Sequence, residues 1–343
     1  MVVTDTTPGA AAREWLAELE LRPVINAAAT LTKLGGSLMP PPVVEAMVAG
    51  ARTFVDVPAL QRAVGRRIAE LTQNEACYIS SGAAAGITVA MASVLAGTDP
   101  DRIGSFPHLD GFDKTEIIIH TSQRNGYDYA ARMTGARFVE IAGTPEALAG
   151  AITERTGAVL WFAGAHFAKD ALTIEEVVEI AHRHGVPVIV DAAAQVPMIE
   201  NLWRFTRDLG ADIAVFSGGK GLRGPQSSGL VLGRADLIEG CIANGSPNYS
   251  IGRPMKVGKE ELFGILAAVE WSLAQDEPAA LDGDAGDALQ PVDPHLDDPL
   301  PGGEPSIAVG EPGPDAIALN PQTVTVEEAE IVLNAVRQAL TGA

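Results

Sequence analysis

The stretch Ser217-Gly218-Gly219-Lys220-Gly221 closes a short apolar run that begins at Asp212. It sets one lysine among three glycines at the end of what reads as a buried strand. A lysine beside a turn is by default a surface charge. Glycine flanks remove side chains around it, so backbone or a flat ligand can approach closely. An amine held in a partly desolvated place loses proton affinity and becomes a nucleophile toward aldehydes.

Two further stretches supply what such an amine would work with. Val186 to Gln195, VPVIVDAAAQ, ends an apolar run in Asp191. A carboxylate there needs a cation as partner, or else serves as a helix N-cap. Small Ala193, two residues on, leaves room for a flat ring. Tyr78 to Ala92, YISSGAAAGITVAMA, reads as strand, turn and small-residue helix, so Ser81, Gly82 and Ala83 offer backbone N–H groups at a positive helix end. Many α/β turns share that pattern. The hydroxyl of Ser217, three residues before Lys220, can join the same anion. Phosphate cup, aspartate and lysine, each after its own strand, are together the requirements of pyridoxal 5′-phosphate (PLP), held as a Schiff base with its ring nitrogen kept protonated.

These residues need a scaffold. Apolar runs at 76–80, 116–120, 158–163, 187–193, 212–217 and 229–233 alternate with amphipathic helical stretches such as 173–185. Strands apolar throughout and separated by helices predict a mostly parallel sheet covered on both faces, a three-layer α/β/α fold with its site outside the carboxyl ends of the strands. Helices are expected before it, from Met39, and after it, around 256–275. From Glu260 to Val336 there is no Lys or Arg, and 276–304 is rich in Asp, Pro and Gly, the composition of an acidic linker. A strand pair near 305–319 and a helix near 325–340 complete the expected α+β end of the chain. The expected organisation is an N-terminal segment at 1–40, a large domain at 41–256 and a small C-terminal domain at 257–343.

The chain has 343 residues and a formal net charge of −20, a field that repels phosphate backbones and disfavours nucleic acid as a partner. The two cysteines, Cys77 and Cys241, give neither a zinc nor a disulfide framework. No basic-then-apolar leader and no run of membrane-spanning length is read, so a cytoplasmic location without membrane association is expected.

From about Val24 to Leu273 the chain resembles the fold-type I PLP-dependent enzymes, in the branch of bacterial selenocysteine synthase and D-glucosaminate-6-phosphate ammonia-lyase. The resemblance rests on VINAAATLTKLGGSLMP, ELTQNEACYISSGAAAGI, VDAAAQVP, SGGKGLRGPQSSGLVLGR and GRPMKVGKEELFGILAAVEWSL. It implies PLP as cofactor, Lys220 as the Schiff-base lysine, Asp191 as partner of the ring nitrogen, Ser81, Gly82 and Ala83 as the phosphate cup, and a homodimer or larger assembly. His120, Gln123 or Arg124, after the strand ending at 120, would cover the ring face. Asn26, Thr30 and Thr32 resemble a segment that enters the active site. Arg253 and Lys256 are candidates for phosphate or a substrate carboxylate. The family's last domain is usually longer, and LTQNEA stands where Thr-Gly-x-Glu is usual. The reaction expected is a lyase acting on a small amino acid through an α-carbanion. A racemase, aldolase or decarboxylase, or a non-catalytic relative, are the alternatives. A selenium transferase on tRNA is disfavoured by the acidic surface.

Overall fold

Runs such as Glu116–His120 and Thr156–Phe162 carry no polar alternation, so they must be covered on both faces, and every residue of both is buried. The structure, a computed structural model, describes residues 10–275, 306–313, 316–320, 323–324 and 326–341. Within it the chain divides into two units, 39–274 and 1–38 together with 275–343. The acidic stretch 276–304 lies outside the described residues.

The strands are, in chain order, β1 (Val24–Asn26), β2 (Ala76–Ser80), β3 (Glu116–His120), β4 (Arg137–Ile141), β5 (Thr156–Phe162), β6 (Val188–Asp191), β7 (Ile213–Ser217), β8 (Gly229–Gly233), β9 (Ser306–Ala308), β10 (Gly310–Gly313) and β11 (Ala316–Ala318). Seven of them form the sheet of the larger unit, in the order β2-β8-β7-β6-β5-β3-β4. All its pairs are parallel except the two made by β8. The chain therefore has the α/β fold with a mostly parallel sheet that its strand pattern predicts.

Side-chain alternation along these strands feeds two cores. Ile118, Val159, Trp161, Val190, Ala214 and Phe216 face one. Ile117, Ile119, Leu160, Phe162, Ile189 and Val215 face the other. Fully burying one such side chain contributes about 1.5–3 kcal/mol. The second core is capped by the helix Ala83–Ala96, which is buried from Gly86 to Ser93 and again at Leu95 and Ala96. It lies so close that a Cβ on Gly86 would stand 2.7 Å from Val215 Cγ1. That explains the run of small residues at its start.

At the amino ends of the parallel strands, acids are buried with their partners. Asp212, 3% exposed, accepts from the Val188 N–H at 2.7 Å, meets His182 Nε2 at 2.8 Å and pairs with Arg234 at 2.7 Å. His182 lies in the last turn of the helix Ile174–Arg183, next to this carboxylate.

In the smaller unit β1 pairs in parallel with β9, and β10 with β11 in antiparallel. Ile25, Ala27, Ile307, Val309 and Val332 form its core, the last from the helix Val326–Thr341.

Candidate active site

At the opposite end of the sheet, the carboxyl ends of β2, β5, β6 and β7 meet the start of β8. Register sets them in a row: Phe162 beside Asp191, Asp191 beside Val215, and both Ser217 and Ser80 beside Gly229. The chain crossing continues past the strands, with Ala192 N–H donating to Val215 O at 2.9 Å and Ser217 N–H to Ala193 O at 3.4 Å. Seven of the residues singled out by sequence thus come together: Ser81, Gly82, Ala83, Asp191, Ala193, Ser217 and Lys220.

The glycines beside Lys220 have a reason that sequence alone does not show. A Cβ on Gly218 would stand 2.1 Å from Ser228 Oγ, on Gly219 2.5 Å from Gln226 Cα, and on Gly221 2.1 Å from Val196 O. The protein's own chain fills the space at all three. The loop folds back on itself, with Gly218 N–H donating to Ser228 O and Gly224 N–H to Gly218 O, both at 2.8 Å. It places Lys220 within electrostatic reach of Asp191, the last residue of β6.

Gly82 is different. Its φ of 114° lies where side chains are rarely tolerated, and a Cβ on it would meet nothing within 4 Å. Ser80 Oγ donates to Gly82 O at 2.8 Å and shapes the turn, while no side chain caps the helix that follows. The start of a 14-residue helix therefore faces open space.

Asp191 and Lys220 are both partly open on the surface but ringed by protein. Burial pushes the Asp191 carboxyl up from the ordinary carboxylate range, against the Ala193 N–H, 3.0 Å from Oδ1, and the Lys220 charge. Burial pushes the Lys220 ammonium down, opposed by the Asp191 charge. The pair sets an amine whose proton affinity burial lowers within electrostatic reach of a carboxyl whose proton affinity burial raises.

Other candidates stand elsewhere. Gln123 has no exposure, and its amide bonds backbone at both ends: Nε2 to Phe162 O and Phe167 O, each at 3.2 Å, and Oε1 from Phe162 N–H at 3.0 Å. Arg124 lies over the Phe138 ring at 5.2 Å and pairs with Asp128 and Glu140. Both side chains are engaged with the protein itself; the sequence showed that they follow a strand end, not where they turn. His120 is fully buried, its Nε2 accepting from Leu172 N–H at 3.4 Å. Burial holds the proton affinity of its imidazole below the usual range. Arg253 is exposed on the segment after the helix Ala235–Asn244, without an ion pair among the described residues. Asn26, Thr30 and Thr32 belong to the smaller unit. The Asn26 side chain closes its own turn, donating to Ala29 O at 2.8 Å and accepting from Ala28 N–H at 3.0 Å. Thr30 is buried, and Thr32 opens a short 3-10 turn.

Sequence reasoning passed over Gln195, which reaches across to Ala163 O at 3.2 Å and helps fix the loop that leaves β5. Among the described residues no cluster of His, Cys, Asp or Glu is set to hold a metal ion, and no helix is long and apolar enough to cross a membrane.

This fold and this strand-end constellation define a class: PLP-dependent enzymes of fold type I. The chain belongs to the Cys/Met metabolism PLP-dependent enzyme family, whose sequence profile matches residues 58–250. It is 38% identical over 270 residues to 5′-C-glycyluridine monooxygenase-decarboxylase of a Streptomyces species, covering 75% of this chain and 65% of that one. It is 34% identical over 264 residues to D-glucosaminate-6-phosphate ammonia lyase of Salmonella typhimurium, covering 74% of this chain and 68% of that one. Its fold matches a solved structure of D-glucosaminate-6-phosphate ammonia-lyase with a TM-score of 0.80 and 29% identity, over 97% of this chain and 98% of that one. The protein is a PLP-dependent enzyme, and enzymes of this fold are typically dimeric and act on amino-acid-like substrates.

Proposed function

We propose that the protein is a lyase that uses PLP, held on Lys220, to eliminate a group from a small amino acid. The observation that carries this reading is the placing of Lys220, in the loop after β7, within electrostatic reach of Asp191 at the carboxyl end of neighbouring β6. When bound, PLP supplies an electron sink that stabilises negative charge at the amino acid α-carbon.

The residues present fit that group. Asp191 keeps one carboxylate oxygen on the Ala193 N–H, and the charge that burial disfavours is offset when a protonated ring nitrogen sits against it. The open space before Gly82 and the uncapped N–H groups of the following helix suit a phosphate, with Ser81, Ala83 and Ser217 around it. Ala193 offers a small surface for the ring. Lys220, with its lowered proton affinity, takes the proton from the α-carbon and delivers it to the group leaving the β-carbon. Asn26, Thr30, Thr32 and Arg253 remain our candidates for substrate contact, and a homodimer remains the expected assembly.

The full-length match to an ammonia-lyase structure favours elimination with release of ammonia. The Streptomyces relative, which is 38% identical, favours a second reading in which the α-carboxylate leaves as carbon dioxide. The two differ in what leaves. Purified enzyme offered a panel of L- and D-amino acids, free and phosphorylated, should release ammonia and a 2-oxo acid. Carbon dioxide with a stoichiometric amine would overturn the lyase reading in favour of the second.

A further inference from the structure

Gln123 occupies a place that normally belongs to backbone. β3 makes its last pairing with β5 at Ile119 and Leu160 and then turns away into Thr121–Gln123. β5 runs on to Phe162, whose N–H and C=O would be left without a strand partner on that side. The Gln123 amide accepts from the Phe162 N–H and donates to the Phe162 carbonyl, as a peptide group of β3 would. Its second N–H reaches Phe167 O and ties down the loop leaving β5. On the other side of the same strand end, Phe162 lies beside Asp191, and Ala163 N–H donates to Asp191 O at 2.9 Å. One peptide unit thus separates the glutamine amide from the backbone that carries the Asp191 carboxylate.

We infer that Gln123 is a positioning residue that acts through Phe162 and Ala163 on Asp191, fixing the depth at which that carboxylate meets the cofactor ring. This rests on the reading of Asp191 as the ring-nitrogen partner. The chemistry is that of any buried amide. Removing it orphans three backbone groups, the Phe162 N–H and carbonyl and the Phe167 carbonyl, which is a far larger disturbance than the loss of one exposed hydrogen bond. Strand ends respond by shifting, and a charge contact between Asp191 and a ring nitrogen is steep in distance.

The test uses Gln123→Leu, which keeps the bulk and loses all three bonds, and Gln123→Glu, which keeps the acceptor for Phe162 N–H and loses the donors. Hydrogen exchange of the cofactor-free protein reads the clamp directly. The Phe162 and Ala163 amides should exchange at least about tenfold faster in Gln123→Leu, with Gln123→Glu between it and the wild type. In the PLP-loaded protein, the pH at which the bound cofactor changes colour should move by about half a unit or more in Gln123→Leu, in the direction given by Asp191→Asn. It should move no further when Gln123→Leu is added to Asp191→Asn. kcat should fall about tenfold with KM little changed. Unchanged amide exchange would overturn the clamp. Faster exchange with an unmoved colour transition, or a shift that adds in full to Asp191→Asn, would overturn its action on Asp191. A wild type that never takes up PLP would refute the cofactor reading itself, while the exchange result would still decide the clamp. Should Gln123→Leu not fold, Gln123→Glu carries both readouts.

Discussion

Asp191 and Lys220 raise and lower each other's proton affinity in the stabilising sense, yet burial outweighs the attraction at both. Burial therefore disfavours the charged form of each group in the absence of a third charge. A site poised in this way gains when a cofactor with a basic nitrogen and an aldehyde arrives.

In the cofactor-free protein, Asp191→Asn should lower the proton affinity of Lys220 further, because the carboxylate is what holds it up. The rate at which Lys220 is carbamylated by cyanate should then rise at lower pH than in the wild type. An unchanged pH profile would separate the two groups.

The same variant changes stability. Asp191 has a raised folded-state value, so its contribution is full at acid pH and is lost as pH rises through that value. Cofactor-free Asp191→Asn should therefore have the higher urea midpoint at pH 7, with the gap closing toward pH 4. With PLP bound, the order should reverse.

Lys220→Ala should abolish borohydride-reducible attachment of PLP and lower turnover by about 10²–10⁴-fold. Peptide mapping of the reduced wild type should find the adduct on Lys220. An adduct on Lys169 or Lys256 would move the site.

Gly229→Ala tests the turn. The added Cβ would stand 2.7 Å from Gly82 C and 2.8 Å from Ser80 Oγ. We expect about 1–3 kcal/mol of destabilisation by overpacking and weakened PLP binding, measured by urea unfolding and by spectral titration. Asp212→Ala, at the far end of the sheet, should destabilise by about 1–3 kcal/mol, since it leaves the buried Val188 N–H without its acceptor while Arg234 keeps its pair with Asp236, and should leave the cofactor spectrum unaltered.

Much of this was legible in the chain. The apolar strands, the small-residue helix, and the places of the Ser81–Ala83 turn, Asp191 and Lys220 at or after the ends of their strands all follow from local patterns, because each is decided within a few residues of itself. What was not legible is where side chains turn after a strand ends. Gln123 and Arg124 read as ring-covering groups because they follow β3. Gln123 instead completes the edge of β5, and Arg124 turns to Asp128, Glu140 and Phe138. The pairing of β1 with β9 joins residues about 280 apart, beyond the reach of any local signal. The glycines around Lys220 were legible as necessary, but their reason, close approach of Gln226, Ser228 and Val196, belongs to the folded chain.

The antiparallel course of β8 has a consequence for the order of assembly. β2 pairs with no strand but β8 among the described residues, so the Ser81–Ala83 turn is carried on an edge strand whose partner lies some 150 residues later in the chain. Lys220 and Gly229, by contrast, sit in one hairpin between β7 and β8. Local contacts form early and distant ones late. If the Ser81–Ala83 turn is the phosphate cup proposed above, that seat is complete only once β8, which ends at Gly233, has paired with β2. Uptake of the cofactor then becomes a report that the outermost strand has closed.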